Sequence, residues 1–404
     1  MLLLMSFSVT TANSPRKVGV RIPNWTTFAR GIYPGLMAYV NEHGPWQIDT
    51  TEETTHEIPI TTIDQKWRGD GLIVFRCTSN ELRKWKKNGI RVVNLSSETP
   101  SGKIGAPASV MPDNHAAGRL AGEHLLGRGL RQFACWIDPT RRYAQQRYAG
   151  FSEIVSGAGY KVETIELAVS KVPMQEKWHL IEAKLRERLP QLEFPIGVFA
   201  KDDISAACII RVCQSIDLNV PRDVAVIGCN NDPAFVYTTT PSLTSVVYPA
   251  HRIGEEAAAM LDRMMCDRDW EPSAPTLVPL SQVIERQSTA VFAFEDVLVS
   301  KVWTYLQNQP SRRVIQVHDL AHDLAVAEPT LRRRFRRSAN RSVKSAIDQT
   351  RLNHIEYRLE HTELPIKRIA YECGFITSEE LARFVRRKLG KSPSVWRTEF
   401  RNSQ

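Results

Sequence analysis

The chain has 404 residues, 42% of them apolar and 24% charged, with a formal net charge of +9. That length predicts about two to four domains with room for several cores. The composition excludes a collagen-like, coiled-coil or wholly disordered chain, and no apolar run reaches the ~18–20 residues of a membrane-spanning helix.

The opening nine residues are apolar, but the first basic residue is Arg16, so they lack the basic start of a secretion signal. Residues 1–16 therefore read as a disordered tail. From Lys17 onward, short β-branched runs alternate with amphipathic segments. Lys17–Ile22, Gly71–Phe75, Arg91–Leu95, Phe133–Ile137, Pro195–Ala200 and Val224–Gly228 read as strands. Phe28–His43, His115–Leu126, a segment ending at Gly157, Ile204–Ser215 and Arg252–Cys266 read as helices, several of them stopped by glycine. Near-continuous apolar strands separated by helices predict parallel sheets covered on both faces. Two such blocks predict two α/β lobes.

In sheets of this kind ligands bind beyond the carboxyl ends of the strands. The polar residues there are Asn24-Trp25, Asp138, Asp202-Asp203 and Asn230-Asn231-Asp232. No glycine-rich phosphate loop follows a strand, and no G-x-S-x-G is present, which argues against nucleotide binding and a serine hydrolase. Asp202-Asp203 would suit acid–base work, yet no catalytic partner is visible, and Asp202 equally suits the N-cap of the next helix. The seven cysteines contain no C-x-x-C pair and read as buried thiols.

Several stretches here resemble the sensor domain of the LacI/GalR family. They are Asp113-Asn114-His115-Ala116-Ala117-Gly118-Arg119-Leu120-Ala121, Arg147-Tyr148-Ala149-Gly150-Phe151, Asn219-Val220-Pro221-Arg222-Asp223-Val224-Ala225-Val226-Ile227-Gly228 and Pro241-Ser242-Leu243-Thr244-Ser245-Val246. The resemblance spans residues 17–287. It implies a periplasmic-binding-protein-like fold of two α/β lobes with a sugar in the cleft between them. It carries Arg147, Asp202 and Asn230 over as ligand residues, with Asn24, Trp25 and Asp138 at the neighbouring strand ends. An arginine fork and a carboxylate suit sugar hydroxyls, and Trp25 or Trp136 would stack on a sugar ring. Core packing is the alternative for each tryptophan. The family's N-terminal helix-turn-helix has no room before Lys17.

Charge is uneven along the chain. Residues 291–404 hold 21 Lys and Arg against 13 Asp and Glu, whereas the first 290 hold 32 against 31. A near-neutral body with a basic terminal module points to a polyanion, and nucleic acid is the default partner; the alternative is a solvated basic face. Val317–Phe335 reads as helix, turn, helix. Leu320, Ala321, Leu324, Leu331 and Phe335 face inward, Ala325 fills the turn, and Arg332 and Arg333 point outward. About fifty residues later Ile366, Ile369, Ala370, Gly374-Phe375, Leu381, Arg383 and Val385 repeat the pattern. Ser345–Thr362 forms a long helix between the two.

Leu320-Ala321, Leu331-x-Arg333-x-Phe335, Arg351-Leu352, Ile369-Ala370, Gly374-Phe375 and Gly390-Lys391-Ser392-Pro393 resemble the AraC/XylS family over residues 288–404. The resemblance implies an all-α domain with two helix-turn-helix units. Its DNA-contact candidates are Pro329, Thr330, Arg332, Arg333, Arg336, Ser378, Glu379, Arg383 and Arg386. Ala327 and Glu379-Glu380 depart from the family pattern. Carboxylates at a recognition-helix start either accept from cytosine or cap the helix.

A LacI-like sensor before two AraC-like units resembles the xylose operon activators. That order implies a cytoplasmic homodimeric activator that binds promoter DNA, works with RNA polymerase and responds to a sugar, xylose first. A sugar-binding protein without DNA recognition, or a regulator of another carbohydrate pathway, are the alternatives. His318 and His322 have the i, i+4 spacing of zinc proteases, but Asp319 stands where Glu is usual and no third ligand is recognisable. His179 and His251 are isolated. The sequence thus points to a non-enzyme with no metal or cofactor.

Overall fold

A computed structural model describes residues 15–23, 30–50, 67–98, 107–167, 174–280, 282–290, 296–308, 314–339 and 341–402. Nearly all of the expected tail, together with Asn24 and Trp25, lies outside the described residues. The chain folds as two compact units, residues 1–111 with 250–278 and residues 112–249 with 279–404.

The first unit begins with β1 (Arg16–Arg21), α1 (Ile32–His43), β2 (Trp46–Asp49), β3 (Gly71–Val74), α2 (Ser79–Lys87), β4 (Arg91–Asn94) and β5 (Ala108–Pro112). The second takes α3 (Asn114–Leu126), β6 (Gln132–Ile137), α4 (Arg142–Gly157), β7 (Val162–Glu166), α5 (Met174–Arg188), β8 (Ile196–Phe199), α6 (Asp203–Ser215), β9 (Val224–Asn230), α7 (Pro233–Val236) and β10 (Thr244–Val247). The chain returns to the first unit for α8 (Ala250–Cys266) and β11 (Thr276–Val278). It rejoins the second at β12 (Val283–Ile284).

Each unit holds a six-stranded sheet, in the order β11-β5-β4-β3-β1-β2 and β12-β10-β9-β8-β6-β7. The pairings from β2 through β5, and from β7 through β10, are parallel, while β12 runs antiparallel to β10. Helices cover both faces of such sheets, so the central strands are largely apolar: Leu72, Ile73, Val74, Val198, Phe199, Val224, Val226 and Ile227 are all solvent-inaccessible. Each such side chain contributes about 1.5–3 kcal/mol by leaving water.

In the second unit α3 and α4 meet backbone to backbone. A β-carbon on Gly118 would lie 1.9 Å from the Arg147 carbonyl oxygen, and one on Gly150 would lie 2.0 Å from that of His115. Only glycine permits this approach.

Among the described residues, the C-terminal segment of the second unit holds helices and no strand: α9 (Val297–Asn308), α10 (Val317–Asp323), α11 (Glu328–Ala339), α12 (Val343–His361), α13 (Ile366–Glu372), α14 (Ser378–Leu389) and α15 (Pro393–Asn402). Two cores form. Leu320, Leu331 and Phe335 pack with α9 and with Val343, Ala346 and Ile347. Ile369, Leu381 and Val385 pack with Leu352, Ile355 and Leu359. The first half of α12 therefore closes one module and its second half opens the next. Ser342 caps α12 by accepting from the Ser345 amide at 3.0 Å. No described helix is long and apolar enough to cross a membrane. Six cysteines are buried, and Cys266 is exposed.

The two turns share one geometry. Ala325 has φ 52° and Gly374 φ 72°. The next amide bonds back to the first helix in each, Val326 to the Ala321 carbonyl and Phe375 to that of Ala370, both at 2.9 Å. A side chain in this left-handed region costs roughly 1–2 kcal/mol, against ~0.5–1 kcal/mol for the extra chain entropy of glycine. Ala325 is exposed and carries that strain without compensation from packing. Ala325→Gly is expected to stabilise the C-terminal helices by up to about 1 kcal/mol, measured by denaturant unfolding; a loss of stability would contradict this account.

Candidate ligand site and nucleic-acid interface

The second sheet gathers Asp138, Arg147, Asp202 and Asn230 at the carboxyl ends of β6, β8 and β9. Arg147 reaches there from α4 because the glycine contact holds α4 against α3. It is 4% exposed. Its Nε donates to Asn114 Oδ1 at 3.0 Å, Nη1 to the Lys201 carbonyl and Nη2 to Asn230 Oδ1 at 3.3 Å. Its guanidinium lies 5.2 Å from the centroid of the Tyr143 ring. These three acceptors are neutral oxygens, so a buried cation faces carbonyls and amides that compensate it only in part.

Asp202 serves two roles at once. It caps α6 by accepting from the Ser205 amide at 2.8 Å, and it pairs with the Lys201 ammonium. Tyr143 donates to it at 3.4 Å. Burial pushes the Asp202 carboxyl up, but Lys201 and the Ser205 donors outweigh burial and hold it at about 2. Burial likewise opposes the Lys201 charge, and Asp202 overcomes it. Asp138, 6% exposed, accepts from the Thr140 amide at 3.0 Å and the Thr140 hydroxyl at 2.6 Å. It shares its surroundings with Asp202: burial, Lys201 and Arg141 push the Lys177 ammonium of α5 down, while Asp138 and Asp202 act in the opposite sense.

Asn230 presents the third edge; it and Asn231, whose side chain accepts from Arg286 instead, have φ of 124° and 54°, a backbone that asparagine tolerates better than most residues. Trp136 is 2% exposed within the core, so it cannot stack on a ligand. Sequence reasoning missed Asn114, Tyr143 and Lys201 as part of this cluster. Lys201 was discernible as the first residue after the Phe199-Ala200 strand. Asn114 and Tyr143 carried no signal until the helices crossed.

In the C-terminal helices, Leu331, Phe335 and Ala339 of α11 are buried, while Pro329, Arg332, Arg333 and Arg336 are exposed and Thr330 is half-buried. Arg333 stands on the side opposite Leu331 and Phe335. Arg332 is tied to Glu328 on its own helix, its Nε 2.7 Å from Oε1. In α14, Leu381, Phe384 and Val385 are buried, Glu379, Arg383 and Arg386 exposed, and Ser378 half-buried.

The two glutamates at the start of α14 take different parts. Thr377 caps the helix by accepting from the Glu380 amide at 3.2 Å, and Glu380 accepts from the Ile376 amide at 3.1 Å. Glu379 accepts from the Ser378 hydroxyl at 3.3 Å, and helix-terminal donors, its own amide first, hold its carboxyl below the usual range. Arg351 of α12 locks the second turn by donating to the Cys373 carbonyl at 2.9 Å and to that of Gly374, with its guanidinium 3.5 Å from the Phe375 centroid. His318 and His322 are exposed and lie beside different carboxylates, Asp319 and Asp323. Among the described residues no group of three or more ligating side chains could hold a metal.

Residues 123–289 match the periplasmic binding protein-like domain, and residues 320–399 match a helix-turn-helix domain. The chain pairs a periplasmic binding protein-like domain with a helix-turn-helix domain. The xylose operon regulatory protein of Escherichia coli is 26% identical over 375 residues, which cover 92% of this chain and 94% of that protein. That of Haemophilus influenzae is 24% identical over 291 residues, 71% of this chain and 74% of that one. The solved structure of the xylose-binding transcription activator XylR covers 95% of this chain and 98% of its own, with a TM-score of 0.59 and 22% identity, a likeness of fold. The periplasmic binding protein-like domain supplies the Arg147 cluster, and the helix-turn-helix domain supplies the basic helices α11 and α14. This is the architecture of a transcription regulator with its sensor on the same chain.

Beside the cluster, Asp203 is 1% exposed and accepts from the Ser245 hydroxyl at 2.6 Å and the Asp232 amide at 2.7 Å. Burial raises its carboxyl to about 7; the two donors offset part of the rise, and the carboxylates of Asp202 and Asp232 add to it. The folded state thus holds a proton that the unfolded chain releases from about pH 4. The stability this confers is complete below the ordinary carboxylate range and is lost as pH rises through about 7. His124, kept neutral by burial and by Arg128 and Arg341, acts in the opposite sense below the ordinary imidazole range. Asp203→Asn is expected to flatten the fall in thermal midpoint between about pH 5 and about pH 8; equal slopes in variant and wild type would contradict it.

Proposed function

We propose that this chain is a cytoplasmic, homodimeric transcription activator whose DNA binding is switched by a pentose, xylose first. Residues 17–287 act as the sensor and residues 288–404 as the DNA-binding domain. The buried Arg147 fork carries the reading. Its acceptors are neutral oxygens, Asp202 is held ionised beside it, and Asn230 adds an amide; vicinal hydroxyls match that set of donors and acceptors. The xylose operon regulatory protein of Escherichia coli, similar over 92% of this chain, points to the same ligand. The chain acts by binding, without catalysis, metal or cofactor.

On DNA, α11 lies in the major groove with Arg333 toward base edges and Arg336 toward phosphates. Pro329 and Thr330 lie at the helix start. Arg332, drawn to Glu328, contributes less to base reading. α14 makes the second contact through Ser378, Arg383 and Arg386, while Glu379 and Glu380 chiefly cap the helix. A sugar that binds one arrangement of the dimer more tightly shifts the population toward it, and the dimer then recruits RNA polymerase at a promoter.

A thermal-shift screen against pentoses and hexoses tests the sensor. A selective pentose response is expected, since a ligand at 100 times its dissociation constant adds about 2.7 kcal/mol. Arg147→Ala is expected to abolish that response and to leave DNA binding without sugar intact; an undiminished response would remove Arg147 from the site. Arg333→Ala is expected to cost ~1–3 kcal/mol at one base position in a binding assay over variant duplexes. A uniform loss over all sequences would make it a phosphate contact.

A further inference from the structure

The route by which the chain leaves the second sheet passes one residue from the proposed sugar site. After β12 the segment 285–290 runs toward the C-terminal helices, and Arg286 lies within it. Its Nη2 donates to Asn231 Oδ1 at 2.8 Å and its Nη1 to the Leu243 carbonyl at 2.9 Å. Its guanidinium sits 4.9 Å from the Tyr237 ring centroid. Its backbone amide donates to Thr244 Oγ1 at 2.8 Å, and its carbonyl accepts from the same hydroxyl at 3.1 Å.

Asn231 directly follows Asn230, the acceptor for Arg147 Nη2. The two asparagines thus form a two-residue bridge with one arginine at each end. Both hold positive φ, in a region that side chains occupy only when their surroundings enforce it. The Asn231 amide donates to Ser245 Oγ at 2.9 Å, and Ser245 donates to Asp203 beside Asp202, so the bridge is tied to the site at a second point.

Beyond Arg286 the segment stays attached to the lobe. Ser288 Oγ donates to the Val226 carbonyl of β9 at 2.6 Å. Thr289 Oγ1 lies 2.8 Å from both Thr244 Oγ1 and His124 Nε2. Glu285 pairs with the buried Arg128. Next to Arg128, the Gly127 carbonyl accepts from Arg341 at 3.4 Å, and Arg341 lies 4.5 Å from the Trp303 centroid, at the start of α12. A displacement at Asn230 therefore has a continuous set of directional bonds through Arg286 to the base of the DNA-binding helices.

We propose that Arg286 is the positioning residue that transmits sugar occupancy to the DNA-binding helices through its bond to Asn231. When the sugar takes up the Arg147 and Asn230 groups, the bridge shifts and the Asn231–Arg286 bond moves the exit segment with it. This inference rests on the sugar site proposed above.

The test uses the full-length protein, D-xylose, and a DNA duplex selected from a random pool by the wild type. Xylose affinity is measured by calorimetry, and duplex affinity by fluorescence anisotropy with and without xylose. Wild type is expected to show coupling of 5–150-fold. Arg286→Lys keeps the charge but loses the fork, and Asn231→Ala removes the acceptor. Both are expected to bind xylose and duplex separately as wild type does while coupling falls to under about twofold. Asn231→Asp retains an acceptor for Arg286 and is expected to preserve the coupling. Because linkage is reciprocal, the xylose affinity measured with saturating duplex must lose the same factor.

Wild-type coupling in Arg286→Lys and Asn231→Ala would overturn the proposal. So would loss of xylose or duplex binding along with the coupling, which marks a purely structural role. Absence of any xylose effect on the wild type would instead overturn the sugar-sensor reading, and is thereby distinguishable.

Discussion

Two glycines set the geometry on which the Arg147 cluster depends. Gly118 and Gly150 let α3 and α4 touch through their backbones, with clearances that leave no space for a β-carbon. The carbonyl that Gly118 approaches belongs to Arg147. The same contact that fixes the helix pair therefore fixes the root of the arginine side chain. From that root the guanidinium reaches Asn114 on one helix, and Lys201 and Asn230 at two strand ends. Shifting α4 outward to admit a β-carbon would displace the root from which all three bonds are made.

The charges gathered at the sheet end tolerate burial because each is answered within hydrogen-bonding distance. Lys201 and Asp202 hold each other ionised, Arg147 is surrounded by oxygens, and Asp203 sits higher because burial raises it and its hydroxyl and amide donors, with no cation beside them, offset only part of the rise. Such a network has high stakes: fully satisfied it defines one geometry, and a ligand that supplies or removes a partner changes that geometry discretely. That property lets a small molecule act at a distance along a chain of directional bonds, which a purely apolar pocket would not provide.

The DNA-binding end solves a different problem. Each helix-turn-helix is too small to bury a core alone. α12 resolves this by serving as the last helix of one module and the first of the next. Arg351 then ties that helix to the second turn through two carbonyls. α11 packs against the first half of α12 and α14 against its second half.

The sequence alone determined the alternation of strands and helices, the parallel sheets, the doubled helix-turn-helix and the inward and outward faces of α11 and α14. All of these follow from local periodicity. Val198 or Leu331 needs no distant partner to declare its side. It also marked Asp138, Arg147, Asp202 and Asn230 as strand-end polar residues or family-like positions. What only the tertiary structure decided is who meets whom. Asn114, Tyr143 and Lys201 join the cluster, Trp136 is removed into the core, and Arg286 is set against Asn231 across fifty-five positions of chain. Periodicity reports the environment along one element. The partners of a hydrogen bond are fixed by the crossing of two elements, and a chain read in one dimension holds no record of that crossing.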